Sequence, residues 1–172
     1  MLPLEIRPEK NADRGAVRAI HDAAFGQPLE GALVDALRAS EGVVSLVAER
    51  DGGVVGHILF TPVLLEPRVR GKQGLGLGPM AVLPDLQRQG IGSALVRQGL
   101  ARVHRSGCPF VVVLGHPDYY PRFGFVPASD LHISSQWHDV PDEAFMIVVF
   151  DRSALPPEGA IARYRPEFDW TL

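Results

Sequence analysis

Gln87-Arg88-Gln89-Gly90-Ile91-Gly92-Ser93 is the stretch of this 172-residue chain whose residue types most plainly prescribe a chemistry. An apolar run, Met80-Ala81-Val82-Leu83, leads into Pro84, and an amphipathic pattern begins at Gly90. A helix starting there presents unpaired N–H groups at the positive end of its dipole. Glycines let the backbone close around a bulky anion, so successive amides can surround a phosphate while Arg88 adds a fixed charge. The same G-x-G also suits a tight strand-to-helix turn made for packing alone. No Gly-Lys-Ser/Thr follows, so this is not a Walker A loop, and no catalytic-loop Asp pattern of a protein kinase appears later. The pattern has phosphate-binding character without the machinery of phosphoryl transfer.

Groups able to exchange protons are scattered. His57 sits in an apolar strand pattern, where a histidine satisfied by hydrogen bonds within the sheet is the simpler reading. His116 follows a buried strand, and Asp118 comes two residues after it. His132, His138 and Asp139 match no closed zinc spacing, and no metal is expected. Cys108, the only cysteine, rules out an intrachain disulfide and reads as a small core hydrophobe in a reducing compartment. Ser93 offers an amide or hydroxyl to phosphate, with no triad evident.

The elements that must position these groups can be read from periodicity. Leu4–Arg7 alternates as a short strand ended by Pro8. Asp13 can cap a helix carrying Val17, Ile20, Ala24 and Phe25 on one face and stopped by Gly26; a second helix, Leu29–Ala39, turns Leu33, Ala36 and Leu37 inward. Val43–Arg50 and Val54–Leu65 form a hairpin about Asp51-Gly52-Gly53. The next strand, Gln73–Leu83, carries Gly74, Gly76, Gly78 and Pro79, which suggests a bulge or a close approach by a ligand or another backbone. Gly90–Arg105 is helical, with Ile91, Leu95, Leu100 and Val103 inward, and Phe110–Leu114 is a strand buried on both faces. A short turn near Asp118–Arg122 and strands at Phe125-Val126, Ala144–Phe150 and Ile161–Tyr164 complete the order. This is an α/β chain, a mixed sheet with helices on its faces, expected to form a single domain over 1–172.

Composition narrows the classes. A formal charge of −3 gives no basic face for nucleic acid. No apolar run approaches the roughly 20 residues that span a bilayer, and Met1–Arg7 lacks a secretory pattern. The expectation is a soluble, cytoplasmic protein with no nucleic-acid or membrane partner.

Several segments taken together resemble the GNAT superfamily of N-acetyltransferases, and within it the YhbS-like bacterial group. They are Gly56-His57-Ile58, Gly78-Pro79-Met80-Ala81-Val82, the Gln-x-x-Gly-x-Gly of Gln87–Gly92, the run Leu114–Phe125, and the tail Arg163-Tyr164-Arg165-Pro166-Glu167-Phe168. The resemblance implies a splayed, mostly antiparallel sheet flanked by helices, with acetyl-CoA as cosubstrate. Gln87, Arg88, Gln89, Gly90, Ile91, Gly92 and Ser93 would hold the CoA diphosphate, and the backbone of Met80, Ala81 and Val82 would pair with pantetheine as an added strand. Tyr120, four residues before Gly124-Phe125, would be the acid that protonates departing CoA, with Tyr119 as the alternative. Some members place a glutamate on the cofactor strand. Gly74–Leu83 has no carboxylate, which leaves the base open among His116, His57, Asp118 and water. The acceptor would be a small-molecule or peptide amine, lined by Phe25–Leu33 and Ala128–Glu143; related folds often form homodimers. Two other readings stay open: an acyl-CoA sensor that transfers nothing, and a nucleotide-binding protein.

Overall fold

The computed structural model describes residues 3–171; Met1, Leu2 and Leu172, at the ends of the expected domain, lie outside the described residues. The backbone gathers into two compact units, Met1–Phe60 with Gly78–Ala101 and Pro166–Leu172, and Thr61–Leu77 with Arg102–Arg165.

In the first unit, strand β1 (Glu5–Pro8) pairs antiparallel with β2 (Val44–Arg50), which pairs antiparallel with the first half of β3 (Gly53–Glu66). Pro8 is tolerated because β1 is an edge strand. Asp51 (φ 51°) and Gly52 (φ 80°) supply the two left-handed residues of a tight hairpin turn. Helices α1 (Arg14–Phe25) and α2 (Leu29–Leu37) bring Val17, Leu33, Val34 and Leu37 against Val47 and Leu59. Three expectations fail here, the first being Phe25, which is 44 % exposed and not on the buried face of α1. Asp13 makes no side-chain cap, because its carboxylate accepts from Arg7 Nη1 and from the Lys10 N–H, each at 2.7 Å. Ala36 is exposed, and Val34 takes the inward position. Gly26, at φ 69°, ends α1 as the sequence suggested.

The opposite face of β2 and β3 receives helix α3 (Ile91–Arg105) as far as Ala101. A Cβ on Gly56 would lie 3.1 Å from Leu95 and 3.2 Å from Ile91, and one on Gly99 would lie 2.7 Å from the Phe60 ring. Side chains missing from both surfaces let the helix lie close.

In the second unit, β5 (Phe110–Leu114) pairs parallel with the first half of β4 (Gly74–Val82), Leu75 opposite Val111, and antiparallel with β8 (Phe145–Val149). β8 also pairs with β6 (Val126–Pro127). The end of β3 takes β9 (Ala160–Arg163) antiparallel, and β9 takes β7 (Ile133–Ser135) parallel. β7 has no counterpart in the sequence reading. Val63, Phe110, Val112, Ile133, Ile147 and Ala162 belong to one core. The glycines of β4 are explained by rings: a Cβ on Gly74 would fall 2.2 Å from Phe110, and one on Gly76 2.7 Å from Tyr164. At these two positions the close approach is made by aromatic side chains, where the sequence suggested a bulge, a ligand or another backbone. Gly78 differs, with φ 135° and open space around it.

A polar chain crosses the core of the first unit. His21 Nε2 lies 2.8 Å from His57 Nδ1, and His57 Nε2 lies 2.8 Å from Ser45 Oγ. Ser45 donates to Glu9 Oε2, and Arg38 Nε donates to Glu9 Oε1 at 2.9 Å. Both histidines are 0 % exposed. Desolvation lowers His21, helped by its neighbour His57, to about 3, and desolvation lowers His57 against the pull of Glu9. Burial alone would raise Glu9, but His57, Arg38 and Ser45 outweigh it and hold the carboxyl at about 2.

Two outcomes are expected. Gly99→Ala destabilises the fold by about 1–3 kcal/mol through overpacking against Phe60, although alanine is the better helix former. Gly15→Ala, where a Cβ meets nothing within 4 Å, is neutral or mildly stabilising; urea titration of both variants checks the contrast. The second concerns acid. Unfolding lets the neutral histidines take up protons below their ordinary pKa of about 6.5, so stability is whole above that pH and falls on acidification. The loss runs down to the folded His21 value of about 3, at up to about 1.4 kcal/mol per pH unit for each group. Glu9 adds a loss only between about 4.3 and its folded value of about 2. In His21→Phe the loss between pH 6.5 and 4.5 is shallower; melting curves across that range measure it.

Candidate active site

The expected phosphate cradle, Gln87–Ser93, follows the end of β4. Leu83 N–H donates to Val55 O at 3.0 Å, which ties the end of β4 to β3. One 3-10 turn, Pro84–Leu86, then reverses the chain. Gln87 Nε2 donates to Val82 O at 3.1 Å, stapling the loop to the strand it has just left. Arg88 (φ 61°) and Gly90 (φ 85°) are both left-handed, and α3 starts at Ile91. Alternating handedness of this kind turns successive amides toward one concave side, a nest suited to an anion. The helix's own bonding begins with Ala94 N–H to Gly90 O at 3.0 Å, so the amides of Ile91 and Gly92 precede it.

Glycine at position 90 is explained by conformation alone, since a Cβ there would meet nothing within 4 Å. Gln89 is fixed from two sides: its Nε2 donates to Asp85 O at 3.4 Å, and its Oε1 accepts from Arg50 Nη1 at 3.3 Å. Of the other expected cofactor contacts, Met80 is half-buried and Ala81 and Val82 are buried on β4, while Ser93 lies in the first turn of α3.

Tyr120 opens a 3-10 turn, Tyr120–Phe123, closed by Gly124 at φ 93°. Its ring packs edge-on to Tyr119 (centroids 5.1 Å apart) and Phe125 (5.6 Å), and against Gly115, where a Cβ would lie 2.3 Å from Cε2. Burial, with Tyr119 beside it, pushes the phenol above its ordinary pKa, so Tyr120 keeps its proton at neutral pH. Tyr119 is half-buried, with the Arg122 guanidinium 4.7 Å above its ring.

The candidate bases fall into two environments. His116 and Asp118 are exposed. His57 is a fully buried histidine of the sheet, with both ring nitrogens engaged, one by Ser45 on β2 and one by His21 on α1. Cys108 is half-buried, its thiol pushed up by desolvation and its Sγ directed at Phe110 O, 3.1 Å away. Among the described residues, no three His, Cys, Asp or Glu side chains come together as a metal site.

His21 was missed in the sequence, as were Glu9, Arg38 and Ser45. A signal existed for one of them. His21 stands four residues after Val17 and three before Ala24, on the apolar stripe of α1.

Comparison with known proteins now adds to this geometry. The profile of the acetyltransferase (GNAT) domain matches residues 41–127. The uncharacterized N-acetyltransferase YjhQ of Escherichia coli K12 is 38 % identical over 121 residues, covering 69 % of this chain and 67 % of YjhQ. Among solved structures, a GNAT family acetyltransferase from Brucella melitensis in complex with acetyl-CoA superposes with a TM-score of 0.79 at 37 % identity, covering 97 % of this chain and 99 % of that one. YhbS of Escherichia coli in complex with CoA superposes with a TM-score of 0.86 at 31 % identity, covering 98 % and 93 %. The GNAT-like α/β fold inferred from the motifs is thereby borne out, and the chain belongs to the GNAT family of N-acetyltransferases.

Proposed function

We propose that this enzyme transfers an acetyl group from acetyl-CoA to a primary amine on a small molecule or peptide, directly, in a ternary complex. The observation that carries the reading is the cradle, where left-handed Arg88 and Gly90 lead into the first amides of α3. The diphosphate of CoA would sit on the backbone from Arg88 to Ser93, with Gln87 and Gln89 bracing the loop. Pantetheine would pair with Met80, Ala81 and Val82. The complexes of the Brucella relative with acetyl-CoA and of YhbS with CoA support this cosubstrate. We assign the enzyme to the cytoplasm, in keeping with its single free cysteine.

Acyl transfer makes three demands. The amine must be neutral, and a lysine-like amine with a pKa of about 10.4 is mostly protonated at pH 7. β4 carries no carboxylate to take that proton, so water or an exposed group such as His116 receives it. The thioester oxygen gains negative charge, which a backbone N–H near Val82 stabilises. The departing thiolate then takes a proton from Tyr120. A thiolate of ordinary pKa about 8.5 is a weaker base than a buried phenolate, but it leaves into the same kind of water-poor setting, which raises its own proton affinity.

A sensor that binds acyl-CoA without turnover is the competing reading, favoured by the missing carboxylate on β4. Release of free thiol from acetyl-CoA across a panel of amines decides between them: tight binding with no release would sink the enzyme. Tyr120→Phe is expected to lower kcat by roughly 100-fold or more with the KM for acetyl-CoA nearly unchanged, and unchanged turnover would remove the acid from Tyr120. Gly90→Ala strains a left-handed residue by about 1–2 kcal/mol. It should therefore raise the KM for acetyl-CoA about 5- to 30-fold, while Gly90→Asn, which tolerates that conformation, recovers most of the loss. Steady-state kinetics on both variants separate conformation from simple bulk.

A further inference from the structure

The chain from Glu9 to His21 has a direction. Glu9 accepts from Arg38 and from the Ser45 hydroxyl, so it is the anionic end. Ser45 has then used its only proton, and the bond to His57 must be donated by His57 Nε2–H. His57 Nδ1 is left with a lone pair and receives His21 Nε2–H. A neutral imidazole has one N–H, so His21 Nδ1 ends the chain as a bare lone pair. That atom is buried and has no hydrogen-bond partner. The charged groups facing the chain are Glu9 after β1 and Arg38 and Asp35 from the α2 end, and none of them brings a hydrogen to Nδ1.

Unsatisfied buried polar atoms are rare and costly, and each calls for an explanation. Phe25 lies against the His21 ring. One turn further along α1, it is parallel to that ring with centroids 6.0 Å apart, and it is 44 % exposed. Leu29, across the turn from α1 to α2, is 42 % exposed. A large apolar side chain at the surface, and not the packed core, therefore shields one face of the imidazole.

We propose that His21 Nδ1 accepts a hydrogen bond from an N–H of the acceptor amine, with Phe25 and Leu29 covering that molecule's carbon chain. The favoured acceptor is a primary amine on an apolar or aromatic chain. His57, Ser45 and Glu9 are positioning residues: they fix the tautomer that leaves Nδ1 as an acceptor. The proposal rests on the transferase reading for the identity of the ligand.

The test uses the whole protein bound to CoA and long-range 1H–15N spectra of its histidine rings. 2-Phenylethylamine is the probe, and trimethyl(2-phenylethyl)ammonium, equally cationic but without an N–H, is the control. The amine should shift His21 Nδ1 saturably, and the control should not. An unmoved Nδ1, or an equal shift with the control, overturns the proposal. In the acetyl-CoA assay, Ser45→Ala should raise the amine KM about fivefold, the size of one ordinary hydrogen bond, and Phe25→Ala about fivefold through lost apolar cover, with the KM for acetyl-CoA unchanged. Equal effects on both substrates would reveal a merely structural role and also overturn it. A saturable Nδ1 shift without any thiol release keeps the binding site and removes the transferase reading instead.

Discussion

The close seating of α3 on β2 and β3 is the constraint on which the cradle depends. Anion binding at a helix N-terminus needs the first amides held at a fixed height above the end of the neighbouring strand. Gly56 and Gly99 set that height by leaving out side chains where Leu95, Ile91 and the Phe60 ring must fit. Gln87 completes the arrangement by bonding the loop to Val82 O. Protein interiors are packed to crystal density, so no soft layer exists to absorb a displacement. The amides at Gly90–Gly92 are positioned by packing at Ile91 itself and at residues one and two helical turns further on.

A second constraint acts on the other face of the same strands. Placing two histidines, a serine and an ion pair in the core is costly unless every member is bonded. The Arg38–Glu9 pair anchors one end, and its charge dictates where each proton sits. β1, α1, α2, β2 and β3 are joined by this one chain of bonds, and the apolar cluster of Val17, Leu33, Leu37, Val47 and Leu59 packs around it. The elements that carry the polar chain are the same ones that bring Phe25 and Leu29 to the surface.

What the sequence revealed followed the range of the interaction. The strand-turn-helix from Met80 to Ser93 was legible because its strand, turn, glycines and helix lie within fourteen consecutive residues. The hairpin at Asp51-Gly52 was legible for the same reason, two left-handed residues between apolar runs. The Glu9–His21–Arg38–Ser45–His57 chain was not, because five separated segments have to fold before any of its bonds exists. Asp13 misled as a helix cap because Arg7, six residues earlier, competes for the same carboxylate and wins with two bonds. β7 was invisible because Ile133-Ser134-Ser135 has no alternation to read and is made a strand only by its partner β9. Gly74 and Gly76 were legible as points of close approach, but that aromatic side chains make it was not.

The neutral state of the buried histidines also bears on what the enzyme can do with a proton. A group that burial keeps neutral until the pH falls to about 3, as it does His21, cannot retain a proton taken from an ammonium at pH 7. The polar chain is therefore no reservoir for the proton lost by the amine. It can, however, accept a hydrogen bond at every physiological pH without acquiring a charge that would repel a cationic substrate. A carboxylate in its place would bind the ammonium form tightly and deepen the ground state that must be escaped before the nitrogen can attack. A neutral acceptor orients an N–H while holding the charged form less strongly. Under the proposed binding of the amine at His21, the carboxylate-free β4 and the neutral His21 ring beside Phe25 act together. Both leave the nitrogen free to reach the thioester as an amine.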